Sequence, residues 1–479
     1  MKKSNETLTL SPDEMRQAGY QAVDLVVEHL ANLESKPVTR RATREEMETL
    51  FREPLPENGS PTAEVLAKLE EDFCTNIMHL DHPRFFAFVS SPGNFVGALA
   101  DFVASGFNVF AGTWLESSAA AEIEMVTIDW LKELAGFPAE ASGLFVSGGS
   151  MANLTALAVA REARLKNDFS NAVVYCSEQT HSSIDRGVKV LGFAPNQLKK
   201  LPVDEHFRLR SGALKTAVKK DREQGKKPFC VIANIGTTNT GAVDPLSEIA
   251  EICRAENLWL HGDGAYGAAA LLSPKFERLF EGVSELDSLT LDPHKWLFQP
   301  YSAGCVLVRE GDLLRKTFDV SPEYLKDAGG RDDEVNFFER GVELTRGFRA
   351  LKLWASFKVF GAQAFREAIE HGVDLAEYAE KFLRSLPSWQ VCSSAQLGVI
   401  TFRFKPAELN ENEANAVNAS LIPKIIDDGF AMLSTTILNG KILLRMCIIN
   451  PRTTERDIAD TILRLERMAK SEKDEFLKS

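Results

Sequence analysis

Several things are scarce in this chain. Basic charge is in deficit: 55 Lys and Arg stand against 68 Asp and Glu, giving a formal net charge of −13 and a pI near 5.3. That argues against a nucleic-acid or anionic-membrane surface as the main partner, while leaving room for a small anion in a local dipolar pocket. Long apolar runs are absent. A membrane helix requires roughly 18 apolar residues, and the most apolar stretch, residues 96–112, is broken by Asp101 and Asn108. No apolar stretch follows Lys2 and Lys3, so a cytoplasmic location is expected rather than secretion. The seven cysteines (Cys74, Cys176, Cys230, Cys253, Cys305, Cys392 and Cys447) are scattered and never spaced CxxC. Reduced, buried thiols are expected, with no catalytic or metal role and no metal site. Neither an internal repeat nor a low-complexity linker is present.

What is present is an ordinary globular composition, 44% hydrophobic and 26% charged over 479 residues, enough for two or three compact units at roughly 100–200 residues each. Residues from about 11 to 80 read as helices separated by Pro54, Pro56 and Pro61, with Ser11 as N-cap and Pro12 at the first helical position. From about 140 to 310, apolar strands at 144–146, 172–176, 229–235, 258–260 and 288–291 alternate with helical segments at 150–165, 182–190 and 245–256. This predicts an α/β unit with a mainly parallel sheet. A long helix after about 355 and strands near 397–404 and 441–448 predict a smaller α+β unit. The expected divisions are an N-terminal helical segment over 1–90, a large domain over 91–354 and a small domain over 355–479.

In open parallel sheets, ligands bind at the carboxyl ends of strands, and there the polar motifs fall. Ser147-Gly148-Gly149-Ser150-Met151-Ala152-Asn153-Leu154 joins a strand to a helix. It is either a structural turn or an anion site at a helix N-terminus, and with no Lys after the glycines it is not a P-loop. Asp263, in His261-Gly262-Asp263-Gly264-Ala265-Tyr266-Gly267, is either a turn residue or a carboxylate facing the pyridine nitrogen of pyridoxal 5'-phosphate (PLP). Lys295, in Leu291-Asp292-Pro293-His294-Lys295-Trp296, is a surface charge or a Schiff-base lysine. His181, in Gln179-Thr180-His181-Ser182-Ser183, is structural or stacks on a cofactor ring, and Gly236-Thr237-Thr238-Asn239-Thr240-Gly241 reads only as a loop at the sheet edge.

Together, in this order and spacing, the segments resemble the PLP-dependent group II amino acid decarboxylases, over nearly the whole chain from His82-Pro83-Arg84 to Leu444-Arg445-Met446. Within that family the chain looks most similar to bacterial aromatic amino acid, especially tryptophan, decarboxylases. The resemblance implies the fold type I, aspartate aminotransferase-like PLP-dependent transferase fold. It implies Lys295 as the Schiff-base lysine, Asp263 on the pyridine nitrogen and His181 on one ring face. Ala265 would lie on the other face, Gly149, Ser150 and His294 at the phosphate, and Thr238 at the polar edge. Tyr324, in Ser321-Pro322-Glu323-Tyr324-Leu325, matches the family's mobile-loop tyrosine and would return a proton to Cα. An intertwined homodimer with active sites at the subunit interface is also implied. Asp292 stands where many members have Asn; repulsion from a phosphate would turn it elsewhere.

The same resemblance puts Phe88, Phe110, Trp114 and Phe338 in the substrate side-chain pocket, which favours an aromatic amino acid. Core packing is the competing reading for each. Glu116, if nearby, would favour a polar or basic side chain. Arg346 and Arg349 would meet phosphate from a partner or form interface charges. Arg445 is the kind of C-terminal arginine that holds a substrate carboxylate in transaminases. The alternatives are therefore the same chemistry on glutamate, histidine or 2,4-diaminobutyrate, an aminotransferase, a non-catalytic scaffold, and oxidative deamination to an aldehyde. Tyr rather than Phe at position 324 opposes the last.

Overall fold

Helix α1 (Pro12–Ala31) starts where the sequence signals it. Ser11 Oγ accepts from the Glu14 N–H while the Glu14 carboxylate accepts from the Ser11 N–H, a reciprocal cap that satisfies two otherwise orphaned donors. Two short helices, α2 (Arg44–Phe51) and α3 (Thr62–Lys68), follow on either side of the proline-rich turn. The structure is a computed structural model that describes residues 8–89, 92–166, 168–320, 331 and 333–476.

After α4 (Phe95–Gly106) and α5 (Ser118–Leu134) the chain enters a seven-stranded sheet. Its elements in chain order are β1 (Ser142–Val146), α6 (Gly149–Leu165), β2 (Ala172–Ser177), α7 (Ser182–Val190), β3 (Leu198–Leu201), α8 (Ser211–Glu223), β4 (Lys227–Asn234), α9 (Leu246–Glu256), β5 (Trp259–Asp263), β6 (Ser288–Leu291) and β7 (Gly304–Val308). The spatial order is β1-β7-β6-β5-β4-β2-β3. The strands are mutually parallel except β7, which runs antiparallel to both its neighbours. Central strands β2, β4, β5 and β6 are buried on both faces, as helices covering a parallel sheet require. The anticipated α/β alternation is present. Strands β3 and β7 and helix α8 were not among the elements expected from the sequence.

Helix α10 (Asp312–Phe318) leads toward α11 (Ala350–Ser385), which bends at Gly361 (φ 74°). A second, antiparallel sheet of β8 (Trp389–Gln396), β9 (Val399–Phe404), β10 (Ser434–Leu438) and β11 (Lys441–Cys447) packs with α12 (Glu411–Asp428) and α13 (Glu455–Phe476). Helix α11 serves both cores: Leu353, Phe365 and Ile369 lie in the core of the large sheet, Leu375, Ala379 and Leu383 in that of the small one. No described helix is long and apolar enough to cross a membrane.

Candidate active site

Four strand ends meet at one cavity of about 490 Å³. Ser147 follows β1, Asn234 ends β4, Asp263 ends β5 and Asp292 follows β6. The floor is the Gly148-Gly149 turn into α6. No side chain caps this 17-residue helix, so its leading N–H groups are left for an outside acceptor. The turn accepts only glycine. A Cβ on Gly148 would lie 2.8 Å from His294 Cε1, and one on Gly149 would lie 2.7 Å from Asp292 Oδ2 and 3.0 Å from Ala265 Cβ. A backbone anion cradle is therefore walled by His294, Asp292 and Ala265.

Lys295 projects into this space with Nζ 3.0 Å from Asp292 Oδ2. Burial by itself would lower its pKa, but the Asp292 and Asp263 carboxylates outweigh burial and hold the ammonium above its ordinary value. His294 Nε2 stands 3.6 Å from the same Asp292 oxygen, and burial pulls its pKa down. Asp292 thus does not turn away from the glycine cradle, contrary to the sequence expectation. The Lys295 ammonium, 3.0 Å away, attracts Asp292 toward the cradle. Its Oδ1 is buried with no hydrogen-bond partner.

His181 is the N-cap of α7 and its Nδ1 accepts from the Ser183 N–H at 3.2 Å. Burial is the main cause of its lowered pKa. Asp263, only 8% exposed, accepts at Oδ2 from Asn153 Nδ2 at 3.0 Å. Lys295, Asp263, His181, Gly149, Ser150, Thr238, Ala265 and His294 all line the cavity, as does Phe88. Phe88 adopts φ 57°, a left-handed conformation uncommon for an aromatic residue. Arg445 fixes it: Nη1 donates to Phe88 O at 2.7 Å and Nε to Thr238 O at 2.6 Å. Arg445 therefore shapes two walls, and it is not among the lining residues.

Phe110, Trp114 and Phe338 do not line the cavity of their own chain. They belong to two segments that pair with each other, through Phe338 N–H to Gly112 O at 3.1 Å and Trp114 N–H to Asn336 Oδ1 at 2.9 Å. Glu116 is exposed and caps locally onto Thr113. Arg346 is turned into the core of its own chain. It is buried against Glu124 (Nη2 to Oε1, 2.6 Å) and the carbonyls of Ala111 and Phe145. Arg349 pairs with Glu343 at 2.6 Å. Tyr324 lies outside the described residues. The sequence reading assigned no role to Asn153, Ser183 or Asn234, all of which line the cavity. Asn153 was discoverable: it follows Gly149 by four residues, so it shares that face of α6.

Among the described residues, one group has metal-ligand spacing: His29, His79 and Asp81, with ligand atoms within 4.8 Å. There the Lys36 ammonium lies 3.1 Å from His29 Nδ1, and His29 Nε2 lies 2.8 Å from Asp81. The Lys36 ammonium puts positive charge beside this group, which opposes a metal ion there.

An amine, an uncapped helix N-terminus, a buried carboxylate and an imidazole around one cavity suit an anionic carbonyl compound captured by the amine. Comparison with known proteins agrees. The family model for the pyridoxal-dependent decarboxylase conserved domain matches residues 45–405. The chain is 53% identical over 467 residues to an aromatic-L-amino-acid decarboxylase of Bacillus atrophaeus, covering 97% of each. It is 28% identical to a phenylacetaldehyde synthase of Arabidopsis thaliana, covering 94% of this chain and 95% of the relative. A crystal structure of Oryza sativa TDC with PLP and tryptamine superposes with a TM-score of 0.91 at 26% identity, covering 97% and 99% of the two chains.

Proposed function

The chain belongs to the pyridoxal-dependent decarboxylase family, and we propose that it removes the α-carboxylate from an aromatic L-amino acid, releasing the amine and CO₂. One observation carries the reading: Lys295, Asp263 and His181 gather around the glycine cradle of α6. The cradle itself tests whether PLP fits, because a Cβ on either glycine would fill it.

The α6 N-terminus with Gly149 and Ser150 would hold the phosphate, with His294 at its wall. Lys295 Nζ would hold the cofactor through its carbonyl carbon. Asp263, as a hydrogen-bond acceptor, would keep a proton on the ring nitrogen. His181, Ala265 and Thr238 would bound the space for the ring. When bound, the cofactor supplies an electron sink for the pair released as the Cα–carboxylate bond breaks. The Tyr324 hydroxyl then gives its proton to Cα and regains one from solvent. Phe88 borders the substrate's side chain.

The enzyme is a homodimer in this reading, and exposed apolar surface supports it. Helix α1 has no buried residue, and Met15, Tyr20, Val23, Val26 and Val27 are exposed along it. Leu99, Phe102 and Val103 are exposed on α4, with Phe107 just beyond. Such faces mark subunit contacts. Phe110, Trp114 and Phe338 then serve the partner's cavity rather than their own. The enzyme works in the cytoplasm.

Product analysis tests the reaction. Purified protein with PLP is offered tryptophan, tyrosine, phenylalanine, histidine, glutamate and 2,4-diaminobutyrate separately, with amine and CO₂ followed by mass spectrometry. Tryptamine, tyramine or phenethylamine is expected. Amine from only the last three substrates would overturn the aromatic reading. A second reading, aldehyde formation, is favoured by the similarity to a phenylacetaldehyde synthase; the same assay separates aldehyde from amine.

A further inference from the structure

Behind Asp263, a row of buried polar groups crosses the sheet. The Trp259 indole N–H donates to Ser288 Oγ at 2.9 Å. Ser288 Oγ lies 2.8 Å from His261 Nδ1, and His261 Nε2 lies 2.9 Å from Asn153 Oδ1. Thr290 Oγ1 donates to the same Asn153 oxygen at 2.8 Å. Asn153 Nδ2 donates to Asp263 Oδ2 at 3.0 Å and to Ser183 Oγ at 2.9 Å. Ser183 Oγ in turn lies 2.9 Å from His181 Nδ1. Asn153, Ser183, His261, Ser288 and Thr290 are each at most 2% exposed.

The chemistry of the donors gives this row one direction. An indole nitrogen only donates, so Ser288 accepts from Trp259 and turns its own proton to His261 Nδ1. Burial pushes the His261 pKa down to about 4, so near neutral pH the ring carries a single proton, on Nε2, which it donates to Asn153 Oδ1. With two donors on its oxygen, Asn153 presents its NH₂ to Asp263 and Ser183. Ser183 then directs its proton to His181 Nδ1, which also accepts the Ser183 backbone N–H. His181 is left with its proton on Nε2. A flipped Asn153 amide would set its oxygen against the Asp263 carboxylate, two acceptors with no proton between them.

We propose that Asn153 is a positioning residue whose amide, oriented by His261 and Thr290, fixes two site groups at once: Asp263 as an aimed acceptor and His181 as its Nε2–H tautomer. The proposal rests on the reading that Asp263 and His181 flank the cofactor. It extends that reading by making the two groups answer to one buried amide.

Two measurements test it. The first needs no cofactor: ring-nitrogen shifts of 15N-histidine-labelled protein, with peaks assigned by His→Gln variants. His181 and His261 are both expected as neutral Nε2–H tautomers at pH 7, and Nδ1–H on either would overturn the direction of the row. The second is PLP affinity of the apoprotein, read from cofactor absorbance. His261→Leu, which removes a donor from a chain ending on a carboxylate, is expected to weaken binding about ten- to a hundredfold, and His261→Gln, which keeps an N–H donor, to recover all but about threefold. Equal losses in both would mean that His261 only fills space. Thr290→Val, nearly isosteric, carries the same test if His261→Leu does not fold, and wild-type affinity there would refute the orientation of Asn153. Absence of a Lys295-dependent absorbance band in the wild type would instead defeat the cofactor reading and leave the tautomer result to stand by itself.

Discussion

At the scale of single residues, the site turns on how one amine is held. An amine must lose its proton before it attacks a carbonyl, yet Asp292 and Asp263 hold the Lys295 ammonium up against the opposite pull of burial. Asp292→Asn removes the nearer carboxylate, 3.0 Å away, so Lys295 deprotonates at lower pH. The pH midpoint for PLP capture by the apoprotein is expected to fall, and a midpoint that rises or stays put would count against this pairing. Lys295→Ala should abolish both amine formation and the cofactor's absorbance band; normal turnover would refute the lysine's role. Tyr324→Phe should slow amine formation and divert product toward aldehyde, by mass spectrometry. Unchanged rate and products would remove Tyr324 from the mechanism.

At the scale of elements, the turn into α6 carries the strictest demand. Gly149→Ala forces a Cβ to 2.7 Å from Asp292 Oδ2, and overpacking of that kind costs about 1–3 kcal/mol. Reduced PLP affinity with a lowered Tm is expected. Gly19→Ala, in α1 with nothing within 4 Å of its added Cβ, should raise stability by about 0.5–1 kcal/mol, measured by the same melt. If both variants shifted alike, helix propensity rather than the cradle would be deciding. Elements of this kind were largely legible. The Ser11 cap, helices α6, α7 and α9 and the strand ends near Asp263 and Lys295 all follow from local signals. Strand β7 was not: Cys305-Val306-Leu307-Val308 is buried throughout, and an unbroken apolar run carries no mark of its direction. Nor was β3, whose Lys199 and Lys200 make an edge strand resemble a loop.

At the scale of the whole molecule, two consequences follow. The exposed apolar rows of α1 and α4 predict that Tyr20→Glu with Val27→Glu shifts sedimentation from dimer to monomer; a monomeric wild type would overturn the dimer reading. The second concerns acid. His261 is held neutral, its pKa lowered from 6.5 to about 4, while the unfolded chain takes up that proton near the ordinary value. The group's contribution to stability is whole above about pH 6.5 and is lost as pH falls toward about 4. Melting temperature followed across that window should fall less steeply in His261→Gln than in the wild type, and identical slopes would show that His261 is not the titrating group.

Local signals sufficed for the alternation of helices with strands β1, β2, β4, β5 and β6 and for the polar motifs at their ends, because period and capping are properties of neighbouring residues; the amine–carboxylate–imidazole set was read from the resemblance those motifs carry together. Tertiary structure decided which of those groups meet. It buried Arg346 on Glu124, kept Asp292 beside Lys295, withheld Phe110, Trp114 and Phe338 from their own cavity, and joined Asn153 to Asp263 across 110 positions. A hydrogen bond between α6 and β5 exists only once strand order and register set those elements side by side, and no local pattern encodes that juxtaposition.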